Sequence, residues 1–301
     1  MKILVSDGIH PLGEEILRNS GAEVVLHKYS PEELMDVIKD FDAIMVRSAT
    51  KVPKELIDAG NLKCIARGGV GLDNIDTAYA KEKGIPVLNT PGASSISVAE
   101  LAFGHMLAAC RFINRSKMEM VAGNWPKKDY KAGIELTGKT LGLLGFGAIG
   151  RETAKRGIGM GMKVIAFDPF ITETDMDVTL VTKDELLEQS DFISLHMPFI
   201  KAEGPALADA EFAKMKDGVV LVNCARGGTV KESALLDALN NGKVARAAID
   251  VYETEPAGEA QKALIDHPLT SVTPHIGAST TEAQIRVSTE IAQKVVDCLN
   301  K

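Results

Sequence analysis

The stretch that decides the fold is Thr140–Asp168, which reads TLGLLGFGAIGRETAKRGIGMGMKVIAFD. The apolar run Thr140–Leu144 predicts a strand, and the turn Gly145–Gly150 follows it directly and opens a predicted helix. A second strand then ends at Asp168, 18 residues past Gly150. A G-x-G-x-x-G turn between a strand and a helix, with an acid after the next strand, is typical of a dinucleotide-binding unit.

Each residue of this motif has a physical task in such a unit. Gly145 permits the tight turn, Gly147 lets the backbone approach a pyrophosphate, and Gly150 allows close contact between helix and strand. The helix N-terminus offers N–H groups and the positive end of its dipole to the phosphates. Asp168 is expected to bind the ribose hydroxyls and to repel a 2′-phosphate, so the motif favours NAD over NADP.

Strands and helices alternate along the rest of the chain. This alternation predicts parallel sheets with helices on both faces. The residues Leu12–Asn19 and about Thr281–Leu299 are predicted helices, Ser30-Pro31 is a predicted helix start, and residues 97–121 are predicted to form one long buried helix. The predicted strands are Lys2–Ser6, Glu23–Leu26, Ala43–Val46, Cys64–Ala66, Val87–Leu88, Thr140–Leu144, Val164–Asp168, Phe192–Leu195, Val219–Asn223, Ala247–Val251 and Val272–Thr273.

Length, composition and charge exclude several classes of protein. The 301 residues suit two domains, and 45% hydrophobic with 25% charged residues argues against disorder. A net charge of -7 gives no reason to expect nucleic acid or an anionic membrane as partner. No signal peptide is expected from the short apolar start, and four scattered cysteines without C-x-x-C predict a reduced, cytoplasmic protein with no metal site.

Three further signals lie at predicted strand ends, where open α/β sheets bind ligands. A cation, Arg226, follows one strand, acids including Asp250 and Glu255 follow the next, and His275 follows a third. Oxidation of a hydroxyl group to a carbonyl group needs a base, a carboxylate that orients the base, and a cation for a substrate carboxylate. Each residue taken alone could equally be a surface charge, so spacing does not decide the matter.

The motifs together resemble the D-isomer-specific 2-hydroxyacid dehydrogenase family, over nearly the whole chain. The motifs that carry the resemblance are Arg67–Asp76, Gly145–Gly150, Asn223–Gly228, Asp250–Pro256 and Pro274–Ser279. The resemblance implies two doubly wound parallel-sheet α/β domains, with a Rossmann-type NAD domain at residues 94–275 inserted into a flavodoxin-like substrate domain at residues 1–93 and 276–301.

The resemblance also implies roles for the strand-end residues. Arg226 would bind the substrate carboxylate and polarise the carbonyl, His275 would exchange the hydroxyl proton, Glu255 would hold the other ring nitrogen, and Asp250 would bind the nicotinamide carboxamide. Cys224 would contact the cofactor through its backbone, and His196-Met197-Pro198 would form a wall beside the adenine. The implied cofactor-binding residues are Val70, Gly145, Gly147, Ala148, Ile149, Gly150, Asp168, His196, Met197, Pro198, Cys224, Ala225, Arg226, Asp250, His275, Gly277 and Ala278.

On the substrate side the resemblance is greatest to the phosphoglycerate branch of the family. It implies oxidation of D-3-phosphoglycerate to 3-phosphohydroxypyruvate, the first step of serine biosynthesis. The implied substrate-binding residues are Arg47, Ser48, Arg67, Gly69, Val70, Arg226 and His275, and Lys127 and Lys128 belong to a basic segment that a neighbouring subunit would contribute. A homodimer, or a tetramer, is expected through the predicted helix Val98–Val121 and that segment. His10, His27, His105 and His267 are expected to have packing or surface roles.

Two alternatives stay open at this point. One is another member enzyme, such as a glyoxylate or hydroxypyruvate reductase or a lactate-type dehydrogenase. The other is a binding protein like the C-terminal-binding-protein corepressors, which use NAD to set their oligomeric state. The chain departs from the family at Glu203-Gly204-Pro205, where relatives carry Thr-Thr-Gly on the cofactor side. Within 301 residues we expect no appended regulatory domain and therefore no inhibition by serine.

Overall fold

The structure is a computed structural model that describes residues 1–301. It divides into two compact units. The first comprises Met1–Ser95 together with Ala278–Lys301, and the second comprises Ile96–Gly277. The second unit is therefore inserted in the chain of the first, and each unit contains one parallel sheet.

Twelve strands form the two sheets. Their bounds are β1 Lys2–Val5, β2 Glu23–Leu26, β3 Ala43–Val46, β4 Cys64–Arg67, β5 Val87–Leu88, β6 Thr140–Leu144, β7 Lys163–Phe167, β8 Thr179–Leu180, β9 Phe192–Leu195, β10 Val219–Asn223, β11 Val244–Ile249 and β12 Thr270–Val272.

Twelve α-helices connect the strands. Their bounds are α1 Pro11–Asn19, α2 Pro31–Val37, α3 Lys54–Ala59, α4 Thr77–Glu82, α5 Ser95–Cys110, α6 Ile113–Val121, α7 Ala148–Gly159, α8 Lys183–Gln189, α9 Asp209–Lys214, α10 Glu232–Asn240, α11 Lys262–Ile265 and α12 Thr281–Leu299. Short 3-10 helices span Ile38–Asp40, Lys127–Tyr130 and Glu259–Gln261.

The sheet of the first unit has the strand order β2-β1-β3-β4-β5, which is the flavodoxin-like order. Alternate residues of a strand point to opposite faces. Leu4 accordingly joins one apolar cluster, while Ile3 and Val5 join another, so both faces of the sheet are covered. The last helix belongs to this unit: the His10 amide donates to Ser288 Oγ at 3.0 Å, and a Cβ on Gly13 would lie 2.6 Å from the Ser288 carbonyl oxygen.

The sheet of the second unit has the order β12-β11-β10-β9-β6-β7-β8. The strand order reverses between β6 and β9, as in a Rossmann-type sheet, and ligands of such sheets bind outside the carboxyl ends of the strands at this point. In β10, Val219 and Leu221 pack into one cluster and Val220 and Val222 into the other. The predicted fold class, two doubly wound parallel-sheet domains with one inserted in the other, is confirmed.

One predicted helix is wrong. Residues 97–121 do not form a single helix, because α5 ends at Cys110, α6 begins at Ile113, and the two axes differ by 60°. The break lies at Phe112, which has a left-handed φ of 55° and a buried ring. Nor is α6 buried along its length: none of its residues is classed as buried.

Among the predicted strands, β11 differs most from its predicted bounds. Strand β11 begins at Val244, three residues before the predicted Ala247, because Arg246 interrupts the apolar run in the sequence. In the structure the Arg246 guanidinium lies over the Phe112 ring, 4.6 Å from its centre, so the charge is accommodated within a buried strand.

No single helix is long and apolar enough to cross a membrane. The bent pair α5 and α6 together would meet that test by length and composition.

Candidate active site

The glycine-rich turn after β6 has the close contacts and the open side that a pyrophosphate needs. Gly145 has a φ of +97°, and a Cβ there would lie 2.4 Å from the His196 carbonyl oxygen. A Cβ on Gly150 would lie 2.3 Å from the Gly145 carbonyl oxygen. By contrast, a Cβ on Gly147 would meet nothing within 4 Å. The turn is thus tightly packed on its inner side and open at Gly147, where a dinucleotide phosphate would lie.

The same turn opens helix α7. Gly147 is the N-cap residue and makes no side-chain capping bond, so no side chain takes up the first-turn N–H groups that a bound phosphate would use. Asp168 accepts hydrogen bonds from the Phe146 amide and the Phe170 amide, both at 2.9 Å. The carboxylate therefore joins the turn to the end of β7, at the position where its binding of a ribose was predicted. These residues fit NAD.

Strand β10 ends in a loop that presents Arg226, and side-chain bonds fix that loop. Asn223 Nδ2 donates to the Arg226 carbonyl at 3.2 Å and to Thr229 Oγ1 at 3.1 Å, while its Oδ1 accepts from the Ala225 amide at 3.1 Å. Thr229 Oγ1 donates back to the Arg226 carbonyl at 2.7 Å. Asn223 and Thr229 are both buried, so the backbone that carries Arg226 is held from the inside.

Close backbone contact brings this loop beside the next one. A Cβ on Gly227 would lie 1.7 Å from the Tyr252 carbonyl oxygen, so only glycine permits the approach. The Tyr252 amide in turn donates to Glu255 Oε1 at 3.1 Å. The loop after β10, which holds the guanidinium, therefore abuts the loop after β11, which holds the carboxylate.

Glu255 and His275 form a hydrogen-bonded pair. His275 Nδ1 lies 2.6 Å from Glu255 Oε2, and the His275 side chain is 45% exposed. A carboxylate can only accept, so Nδ1 carries the proton and Nε2 is left to exchange a proton with a substrate. Burial opposes ionisation of Glu255. The hydrogen bonds from His275 and the Tyr252 amide, with the charges of His275 and Arg226, nevertheless hold its pKa below the usual 4.5.

Asp250 anchors the loop that carries His275. Its carboxylate is 1% exposed and accepts from the Ile276 and Gly277 amides, both at 2.8 Å, and from Thr273 Oγ1. The His275 amide donates to the Asp250 carbonyl at 2.8 Å. These bonds hold His275 at a left-handed φ of 53°, which a non-glycine residue adopts only when its surroundings impose it.

Burial differs among the residues predicted beside the cofactor, which directly follow β9 and β10. Cys224 is buried, whereas His196 and Met197 are half-buried. Burial lowers the pKa of His196 to about 3, so the imidazole is neutral, and its Nε2 lies 2.9 Å from Ser194 Oγ while Nδ1 has no partner. Burial, and then the charge of Asp250, raises the pKa of the Cys224 thiol. A protonated buried thiol is a poor nucleophile.

The predicted substrate residues of the first unit form a network of their own. The Arg47 amide donates to Asp7 Oδ2 at 2.7 Å, and its guanidinium donates to Gln284 Oε1 on α12. Arg67 donates through Nε to the Arg47 carbonyl at 3.3 Å and through Nη1 to the Gly71 carbonyl. Burial lowers the pKa of Arg47 against the opposing charge of Asp7. Ser48 is exposed, and Gly69 has a φ of +154°; a Cβ there would lie 3.2 Å from Arg67 Nη1.

Sequence reasoning did not single out several residues that build these sites. Asp7, Thr229 and Thr273 hold these loops, yet each is a common polar residue without a distinctive spacing. Asn223 begins the Asn223–Gly228 motif, but the sequence predicted no role for its side chain. Only their position at the ends of buried strands or in the loops that follow could have pointed to these residues. No group of three or more His, Cys, Asp or Glu side chains in residues 1–301 could hold a metal ion.

Two features define the class of this protein. One is the Rossmann-type sheet with its open glycine turn, and the other is the histidine–carboxylate pair close to an arginine. Together they define an NAD-binding oxidoreductase of the α/β class. Comparison with known proteins narrows the class. Residues 103–277 match the family model described as D-isomer specific 2-hydroxyacid dehydrogenase, NAD binding domain. The chain belongs to the D-isomer-specific 2-hydroxyacid dehydrogenase family, and it is an NAD-dependent D-2-hydroxyacid dehydrogenase.

Three relatives illustrate the range within the family. The chain is 50% identical over 297 residues to a hydroxypyruvate reductase of Thermotoga maritima, covering 98% of this chain and 97% of that protein. It is 45% identical over 300 residues to a D-3-phosphoglycerate dehydrogenase of Methanocaldococcus jannaschii, covering 98% of this chain but 57% of that protein. A D-lactate dehydrogenase of Aquifex aeolicus, solved with NAD and lactic acid, superposes with a TM-score of 0.87 at 29% identity, covering 100% of this chain and 96% of that one.

Proposed function

We propose that the protein catalyses the NAD-dependent oxidation of D-3-phosphoglycerate to 3-phosphohydroxypyruvate, the first step of serine biosynthesis. The observation that carries the dehydrogenase part is the His275–Glu255 pair at 2.6 Å, close enough to Arg226 for its charge to act on Glu255. The observation that favours a phosphorylated substrate is the partly buried guanidinium of Arg47 at the carboxyl end of β3.

In the proposed mechanism Arg226 binds the substrate carboxylate with two N–H groups and places a positive charge beside the carbonyl oxygen. Nε2 of His275 takes the hydroxyl proton during oxidation and returns it during reduction. The Glu255 carboxylate keeps Nδ1 protonated and stabilises the imidazolium that forms. NAD held by the turn Gly145–Gly150 and by Asp168 would supply the acceptor for the hydride that leaves the substrate carbon. The products are the keto acid, NADH and one proton.

The cofactor and domain assignments belong to the same proposal. We assign residues 94–275 as the cofactor domain and residues 1–93 with 276–301 as the substrate domain. Asp250 would bind the carboxamide and Asp168 the ribose. The other proposed cofactor-binding residues are Val70, Gly145, Gly147, Ala148, Ile149, Gly150, His196, Met197, Pro198, Cys224, Ala225, Arg226, His275, Gly277 and Ala278.

Substrate binding is proposed for Arg47, Ser48, Arg67, Gly69 and Val70, with Arg226 and His275. Gln284 is neutral, so its hydrogen bond with Arg47 leaves the positive charge of the guanidinium available to a phosphate. Arg67 donates to the carbonyl oxygens of Arg47 and Gly71, so it joins the glycine turn to the end of β3. Arg47 is therefore the residue on which a preference for a phosphorylated substrate depends.

A second candidate function is reduction of hydroxypyruvate, the same carbon skeleton without the phosphate. It is favoured by the relative from Thermotoga maritima, which is named hydroxypyruvate reductase and matches this chain along 97% of its length. The two functions use the same catalytic residues and differ in their need for a phosphate-binding cation.

A substrate panel with an Arg47→Gln variant separates the two functions. We expect the wild-type protein to prefer 3-phosphohydroxypyruvate to hydroxypyruvate in kcat/KM, measured with NADH. We expect Arg47→Gln to lower kcat/KM for the phosphorylated substrate by about 10- to 100-fold, since a charge-assisted bond is lost, and to change it less than threefold for hydroxypyruvate. Equal loss on both substrates, or a wild-type preference for hydroxypyruvate, would favour the second function.

We also propose a homodimer in the cytoplasm. Helix α6 and the segment after it expose large apolar side chains: Ile113, Met118, Met120, Val121 and Trp125 are 53–77% exposed. Large apolar side chains exposed in such number on one short segment are typical of protein interfaces. The four free cysteines suit a reducing compartment. Sedimentation equilibrium should give a mass near twice the 32.2 kDa of one chain, and a monomer at all concentrations would contradict the dimer.

A further inference from the structure

A buried histidine outside the predicted catalytic set is connected to the catalytic loop. His105 on α5 is 4% exposed. Its Nδ1 lies 2.8 Å from Ser271 Oγ on β12, and its Nε2 lies 2.8 Å from Thr273 Oγ1, directly after that strand. Thr273 Oγ1 contacts Asp250 Oδ1, and Asn114 Nδ2 on α6 donates to Ser271 Oγ at 3.0 Å. A continuous line of side-chain bonds thus runs from α6 to Asp250.

For a neutral His105 ring, the chemistry of these groups fixes the direction of every bond. The Asp250 carboxylate already accepts from two backbone amides, so it must also accept from the Thr273 hydroxyl. Because the hydroxyl proton of Thr273 is donated to Asp250, the Thr273 oxygen must accept from His105. The proton of His105 therefore lies on Nε2. Nδ1 is therefore the acceptor, and it receives the proton of Ser271, whose oxygen accepts from Asn114.

This assignment requires a neutral imidazole with one specified tautomer. Burial lowers the pKa of His105, while the charge of Asp250 opposes that shift, so the neutral form agrees with the surroundings. A phenylalanine could fill the same space but could not donate to Thr273. The hydroxyl of Thr273 would then be free to rotate away from Asp250. Packing alone does not explain a histidine with both ring nitrogens bonded.

The end of the line is the backbone that presents His275. Asp250 Oδ1 is shared by Thr273 and the Ile276 amide, and Oδ2 accepts from Gly277. Gly277 is packed so closely that a Cβ there would lie 3.1 Å from Asp250 Oδ2. The orientation of this one carboxylate therefore determines the path of residues 273–277, and with it the left-handed conformation of His275.

We propose that His105 is a positioning residue for the dehydrogenase reaction: through Thr273 it orients the Asp250 carboxylate, and thereby the loop that holds His275. This inference rests on the proposed roles of Asp250 and His275 in the reaction. We therefore expect turnover to depend on the N–H donor at Nε2 of His105. The hydrogen bond that Nδ1 accepts from Ser271 serves mainly to keep the ring in that tautomer.

Three substitutions at position 105 test this asymmetry. His105→Gln can place an N–H near the former Nε2, His105→Asn can reach only the former Nδ1 position, and His105→Phe offers neither. For the 2-hydroxy acid that the wild type oxidises best, we expect kcat to fall about 10- to 100-fold in the Phe and Asn variants, with KM within threefold. We expect His105→Gln to stay within about threefold of the wild type.

Met106→Ala is the matched control for a disturbed core. Met106 is fully buried on the same helix and takes no part in the line of bonds. The Met106→Ala variant should lower the melting temperature at least as much as His105→Phe does, while its kcat stays within twofold of the wild type. Thr273→Val supplies a second route if His105→Phe does not fold, since it removes the hydroxyl at nearly constant volume. The His105→Asn, Thr273→Val double variant should lose little beyond Thr273→Val alone.

A readout without turnover separates this inference from the proposed function. Hydrogen exchange of the Ile276 and Gly277 amides should accelerate at least tenfold in His105→Phe and Thr273→Val, and not in His105→Gln or Met106→Ala. If the wild type oxidises no 2-hydroxy acid, the proposed function fails and the exchange rates still decide the positioning role. The inference is overturned if exchange at these amides is unchanged, if His105→Phe keeps kcat within twofold, or if His105→Gln falls as far as His105→Phe.

Discussion

Replacing His275 with asparagine should lower kcat for oxidation by about 10³- to 10⁴-fold, with a much smaller change in NADH affinity. The asparagine amide can still accept a hydrogen bond from a substrate hydroxyl, but it cannot take the proton. The side chain of His275 is 45% exposed, so the substitution removes little packing, and the fold should persist. Steady-state rates and NADH fluorescence titration of the purified variant measure the two effects.

Glu255→Gln is a milder substitution in the same pair and serves as the control for His275→Asn. The amide keeps a contact with Nδ1 but removes the negative charge that stabilises the imidazolium. Reduction needs the charged ring, so its upper pH limit should move to lower pH, and its rate at neutral pH should fall more than that of oxidation. The pKa of Glu255 is held below its usual value by its hydrogen bonds with His275 and the Tyr252 amide, so Glu255 stays ionised at neutral pH and does not set this limit. A pH profile identical to that of the wild type would contradict the pairing.

Replacing Arg226 with glutamine should lower kcat/KM by about 10³-fold or more, and both kcat and KM should worsen. The residue is proposed to bind the substrate carboxylate and to polarise the reacting carbonyl, so its loss affects the ground state and the transition state. Its charge also helps to keep Glu255 ionised, so the variant disturbs the pair as well.

Arg226→Lys is the matched control, since it keeps the charge and loses the forked geometry. We expect it to recover one or two of the lost orders of magnitude but not to reach the wild type. The loop itself should keep its path, because Asn223 and Thr229 hold it through the Arg226 carbonyl. If Arg226→Gln keeps kcat/KM within tenfold of the wild type, Arg226 does not bind the carboxylate.

The parts of the fold that local sequence determines were predictable. The bounds of β6 and of α12 agree with the predicted ranges, because a short apolar run followed by glycine, or an amphipathic run preceded by a capping threonine, is a local signal. The capping box of Ser30 and Glu33 at the start of α2 was likewise visible in the sequence. The prediction of the strand order rested more on the family resemblance than on the hydrophobic pattern of the sequence.

The break between α5 and α6 was not predictable from periodicity. Neither proline nor glycine marks it, and the apolar spacing continues across Arg111 and Phe112. The left-handed conformation of Phe112 is imposed by tertiary contacts, since its ring lies between the Arg246 guanidinium and Tyr130. Such contacts join residues far apart in the chain, and a local pattern does not encode them.

The same reason explains why the role of His105 escaped prediction. Its partners Ser271 and Thr273 are 166 and 168 residues away in the chain, so the sequence contains no motif that joins them. The pair of His275 and Glu255 spans 20 residues and was predicted only through the resemblance. Chemistry that spans several strand ends becomes visible once the sheet order places those ends side by side.

The most direct test of the central claim is the stereochemistry of NAD reduction. The wild-type protein and His275→Asn are assayed at alkaline pH with the D and L forms of 3-phosphoglycerate, glycerate and lactate, with a trap for the keto product. We predict NADH formation by the wild type from D enantiomers only, fastest with D-3-phosphoglycerate, and its loss in His275→Asn. NADH formation from L enantiomers at a similar rate, or an undiminished rate in His275→Asn, would contradict the account.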